Sequence, residues 1–75
     1  MKTKDKKIIE DAERDGIPIF VLTAKDKLSV DAILDYEVHC LRHNCKPEHT
    51  NAVHDRLHEF EAWQRDNADK VKLPD

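Results

Sequence analysis

Two lysines flank an acid at Lys25-Asp26-Lys27, and Ser29, a helix-start residue, follows two positions on. Ammonium groups just ahead of a helix N-terminus sit beside open amide N–H groups and the positive end of the helix dipole. That combination holds anions, phosphate among them. The run Ile17 to Leu22 (IPIFVL) is apolar and lies just upstream. It is expected to tie the segment into a core and so to fix the lysines in space. Lys25, Lys27 and Ser29 are therefore the candidate anion-binding residues.

Histidine and cysteine spacing raises metal and thiol chemistry. His39 and His43 are four apart, as are His54 and His58, with Cys40 and Cys45 close by. Two such pairs on paired helices can build a tetrahedral zinc site. The helical wheel opposes it. His54 and His58 lie opposite the Val53–Leu57–Phe60 stripe, and His39 and His43 point away from Val38 and Leu41. Within one hairpin the pairs face outward and apart, which leaves only a site between protomers open. The expectation is solvated outer-face histidines, with no metal and no cofactor. For nucleophilic catalysis, a cysteine beside a histidine is the one thiol option, and no third orienting group is evident. No Gly-rich phosphate loop and no CxxC occurs. The chain is not expected to be an enzyme.

Seventy-five residues make one domain, 1–75. Apolar and charged residues each make up 39%, so the core is thin and oligomerisation is expected. The net charge of −3 disfavours a general DNA or RNA binder. The cluster Lys2, Lys4, Lys6 and Lys7 reads as a solvated end. Two cysteines make no disulfide framework, and no apolar run approaches membrane-spanning length. These features read as a cytoplasmic protein with reduced thiols.

The elements that must position the lysines are helical. A first helix covers residues 4–15, with Gly16 as its stop and Pro18 barring continuation. Residues 17–28 read as an extended, buried connector. Ser29 caps a second helix, 29–44, with Asp31 in its first turn. After a turn at Asn44 to Lys46, Pro47 opens a third helix, 47–67. The tail, 68–75, is expected to be extended. The second and third helices form an antiparallel hairpin, and the fold class is all-α. The second helix carries two apolar stripes. One is Val30, Leu34, Val38, Leu41 and Cys45; the other is Ala32, Ile33, Tyr36 and Cys40. One hairpin partner covers only one of them. Arg56 falls within the third helix's apolar range and reads either as a snorkelling side chain or as a pocket arginine.

Three pieces carry a family resemblance: IPIFVLTAKDKLS (Ile17 to Ser29), the helix after it, and FEAWQRDNADKVKLPD (Phe60 to Asp75). Together they resemble the phage anti-CBASS sponges, small proteins that sequester cyclic oligonucleotide signals. Their helical hairpin is shared with the sponges that counter Thoeris defence. The resemblance implies an all-helical protomer assembling into a homohexamer in the host cytoplasm. It implies inter-protomer pockets for cyclic di- and trinucleotides, which are bound and not cleaved. On this chain it places Lys27 at phosphate and Ser29 near the helix start, with Arg65 as a further position; Lys25 is added from its chemistry alone. Family members can set an N-terminal aromatic against a base, whereas nothing before Phe20 is aromatic here. A helical-hairpin interaction module and a sponge for cyclic ADP-ribose-type signals are the alternatives.

Overall fold

The computed structural model describes residues 3–75; Lys2 of the basic cluster lies outside them. Three helices carry the chain: α1 (Thr3–Asp15), α2 (Ser29–Arg42) and α3 (Pro47–Asp66), followed by a short 3-10 turn, Ala68–Lys70. The described chain is all-α, with no β-strand among the described residues.

Local chemistry ends these helices. Gly16 sits at φ 67°, a left-handed conformation that a side chain would strain. Its N–H reaches the Glu13 carbonyl at 3.4 Å, and the Ile17 N–H reaches the Ala12 carbonyl at 2.9 Å. These bonds satisfy carbonyls that the end of α1 leaves open. α2 ends the same way. Asn44, at φ 54°, donates to Leu41 at 3.3 Å, and Cys45 donates to Cys40 at 3.0 Å. Asparagine tolerates this conformation better than other residues with a side chain. α2 thus stops at Arg42, two residues short of the expected end. Pro47 occupies the start of α3, where its missing N–H costs no helical bond.

α2 and α3 pack against each other through residues that pair in opposite order. Ser29 meets Gln64 and Glu37 meets His54. The hairpin takes the face of α2 that carries Ser29, Ile33, Glu37 and Cys40. Cys40 and Leu57 are buried there, and Ala12 is buried on α1. The other face stays open: Leu34 and Leu41 are 47% and 61% exposed.

The connector differs most from expectation. It has no helical structure between Ile17 and Thr23, but it is not buried. Ile17, Ile19, Phe20 and Val21 are all exposed, Phe20 at 86%. A single hairpin offers one surface and no second layer, and among residues 17–23 only Leu22 is half-buried. The tail also departs from a plain extended run, because the 3-10 turn reverses the chain after α3. Arg56 neither snorkels nor stands free. Its guanidinium pairs with Asp5 of α1 at 2.9 Å and with Glu59 at 3.4 Å. It lines a groove of about 860 Å³ between α1, the connector and the hairpin, with Ile9, Phe20, Ile33 and Phe60 among its walls.

Candidate functional site

The Lys25–Asp26–Lys27 loop is held from two sides. From α3, the Gln64 side-chain amide donates toward the Ala24 carbonyl at 3.1 Å, the Asp26 carbonyl at 3.2 Å and the Ser29 hydroxyl at 3.3 Å. Two amide hydrogens thus serve three oxygens. From the tail, the Lys27 N–H donates to the Lys72 carbonyl at 2.8 Å, and the Lys72 N–H donates to the Lys25 carbonyl at 3.0 Å. Asp26 and Lys72 form a single parallel bridge. The tail reaches this position because Asn67 turns the chain. Its backbone N–H and its side-chain amide both donate to the Trp63 carbonyl at 2.9 Å.

Ser29 is placed differently from expectation. It is the first residue of α2, not its cap; Leu28 holds the cap position without a side-chain bond. Ser29 is fully buried, and its hydroxyl donates to the Asp26 carbonyl at 2.7 Å. In this conformation it holds the loop and cannot touch a ligand. The Asp26 carboxylate accepts from the Leu28 N–H at 2.8 Å. It supplies the negative charge that the positive end of α2 favours. The loop therefore already carries an anion at its helix start, and cation chemistry at the surface falls to the lysines.

Lys25 and Lys27 are exposed, and no ion pair engages either one among the described residues. Lys25 lines a groove of about 380 Å³ with Thr23, Ala24 and Trp63. Lys25 and Thr23 thus border the same groove as Trp63. Lys72, which the sequence reading did not single out, joins the same loop through the tail. Its ammonium stands 3.9 Å from Asp75 and is largely exposed. The one signal for it was its place in the closing segment, and extended tails carry no local pairing code. Arg65 lies on α3 next to Gln64 but points to solvent, with its guanidinium 3.5 Å from Asp66. No contact brings it to Lys25 or Lys27 among the described residues.

The histidines face outward and are exposed, as the wheel placed them, but the wheel missed their partners. His54 is not simply solvated. Its Nδ1 lies 2.8 Å from the Glu37 carboxylate across the hairpin, and its Nε2 lies 2.9 Å from the Nε2 of His58. His39 and His43 make no such pair; His43 falls past the end of α2, and His39 stands 3.7 Å from Asp35. Tyr36 and His49 bridge the helices at 2.9 Å. Cys40 is buried and Cys45 exposed, both free. Desolvation, then a hydrogen bond with Cys40, pushes the Cys45 thiol above its ordinary pKa. Desolvation first, then Cys40, does the same to the Tyr36 phenol. A raised thiol pKa leaves less thiolate, which is the reactive form.

Comparison with protein-family models, curated proteins and solved structures finds no match for this chain. No helix of the described residues is long and apolar enough to cross a membrane.

The clasp leads to a direct prediction. Gln64→Ala removes the donor for three oxygens in a partly buried setting, at a cost of about 1–3 kcal/mol. In a domain of this size, each kcal/mol lowers Tm by about 4–8 °C. Thermal unfolding followed by circular dichroism should show that fall, whereas Arg65→Ala, one residue on and exposed, should leave Tm nearly unchanged. Equal Tm values for wild type and Gln64→Ala would remove Gln64 from its place in the loop.

Proposed function

We propose that this protein binds cyclic oligonucleotides and holds them without cleaving them. The observation that supports the reading best is the clasped loop. It fixes the backbone of Lys25 and Lys27 at the surface, with Lys25 and Trp63 lining one groove. A cyclic oligonucleotide presents phosphodiester charges on a ring and flat bases around it. Ammonium groups pair with the former through charge-assisted bonds. An indole face stacks on the latter. Lys72, brought in by the tail, adds a third cation.

The resemblance to the anti-CBASS sponges extends the reading. In that reading the protein works in the host cytoplasm, removes the cyclic di- or trinucleotide messenger and blocks CBASS-type defence. Sequestration needs no nucleophile. The cysteines suit this role: one is buried, and the other has a raised pKa.

Assembly belongs to the same proposal. Among the described residues, ten large apolar side chains are exposed, from Ile8 and Phe20 to Leu41 and Leu73. Monomeric soluble proteins rarely leave large contiguous apolar patches in water. A homohexamer, as the resemblance implies, covers them and sets the lysine loops of neighbouring chains around shared pockets. The open Leu34–Leu41 face also favours a second reading, a helical-hairpin module that docks another protein. A sponge for cyclic ADP-ribose-type signals uses the same lysines with a different ring.

Light scattering on the purified chain at micromolar concentration should give a mass several times that of one chain. A stable monomer would contradict the shared pocket.

Lys27 gives the sharpest test of ligand binding. A charge-assisted hydrogen bond contributes about 1.5–3 kcal/mol. Lys27→Ala should therefore weaken binding of a cyclic dinucleotide about tenfold or more, with mass and helix content unchanged. Lys46→Ala, at the other end of the hairpin, serves as the control. The comparison is a calorimetric titration at fixed salt, since exposed charges are screened. Ligand recovered after denaturation should be chemically intact. Equal affinities of wild type and Lys27→Ala would move the phosphate site elsewhere.

A further inference from the structure

His54 and His58 stand one turn apart on α3, with ring centroids 4.4 Å apart and planes near perpendicular. Their Nε2 atoms approach to 2.9 Å. Each Nδ1 faces a carboxylate: His54 lies 2.8 Å from Glu37, and His58 lies 3.4 Å from Glu61. Glu37 is the best sheltered of the four, with its side chain 13% exposed. It ties the pair across the hairpin to α2.

The Glu37 contact fixes the direction of the His54 lone pair. A carboxylate only accepts hydrogen bonds, so the ring nitrogen facing it carries the hydrogen. His54 therefore donates from Nδ1, which leaves its Nε2 as a lone pair. When His58 carries its hydrogen on Nδ1, beside the Glu61 carboxylate 3.4 Å away, two Nε2 lone pairs converge with nothing between them. A cation between the rings removes that conflict. Metal-ligating histidines are arranged in this way, with the outer nitrogen on a carboxylate and the inner one on the metal. The spacing fits as well. Two nitrogens bound at about 2.0–2.1 Å and about 90° to each other lie about 2.9 Å apart. That right angle suits tetragonal nickel(II) or copper(II) sites with nitrogen ligands.

We propose that His54 and His58 chelate a divalent transition-metal ion through their Nε2 atoms, with Glu37 and Glu61 orienting the rings. Among the described residues, no group of three or more histidine, cysteine or carboxylate side chains gathers as a metal site. The ion therefore keeps its remaining positions for water or for a donor from a bound molecule. Such an open site is an exchangeable one, not a structural staple. It does not depend on the lysine loop or on nucleotide binding.

The test is a calorimetric titration of the full chain with Ni2+ at fixed pH, with Cys45→Ser as the background to exclude the exposed thiol. One ion should bind per chain. His54→Ala and His58→Ala should each weaken binding more than tenfold, and Glu37→Gln by about tenfold. His39→Ala, from the other four-apart pair, should leave affinity unchanged. Circular dichroism checks helix content throughout, and His58→Gln replaces His58→Ala if the latter loses helix. No binding to the wild type, equal affinity in His58→Ala or His58→Gln, or an equal loss in His39→Ala would overturn the proposal.

Discussion

The side-chain amide of Gln64 holds together parts of the chain that would otherwise be independent. It reaches from the end of α3 to Ala24, Asp26 and Ser29, and so joins the hairpin to the loop before α2. Three other features depend on that join. Ser29 can be buried because its hydroxyl already has partners in Asp26 and Gln64. The tail can pair with Lys25 and Lys27 because the loop is held still for it. Lys25 and Trp63 share a groove because α3 carries both Gln64 and Trp63. An unpaired polar group in such a setting is costly. The loop thus stays in one conformation or loses several bonds at once, and a fixed loop loses less entropy when it takes a ligand.

The rest of the molecule is lightly packed. Three apolar residues are buried among the described ones, and the connector lies open along Ile17, Ile19, Phe20 and Val21. A side-chain ion pair between Asp5 and Arg56 ties α1 to the hairpin, and its partly exposed setting limits its strength. In the homohexamer we propose, neighbouring chains would cover the apolar run before the lysines, and the loop it leads into would sit at the edge of that surface.

Much of the helical punctuation was legible in the sequence. Gly16 and Pro47 stand at the ends they were expected to mark, because both act through the backbone and need no tertiary partner. Asn44 marks its turn for the same reason. What failed was pairing at a distance. Ser29 reads as a cap by type, but Asp26 reaches the helix start first and Gln64 draws the serine inward. The two histidine pairs have the same spacing, yet one meets Glu37 and the other runs off the end of α2. A wheel gives the direction of a side chain and not the identity of the residue across from it. The tail bridge had no signature at all, since two backbone hydrogen bonds leave no residue preference behind.

Amide chemical shifts, followed as a cyclic dinucleotide is added to the isotope-labelled protein, test the central claim most directly. If the clasped loop is the ligand site, the largest changes fall on residues 23–29, on Trp63 and on Lys72, with the His54–His58 face unmoved. Changes confined to other parts of the chain, or none at saturating ligand, would contradict the account.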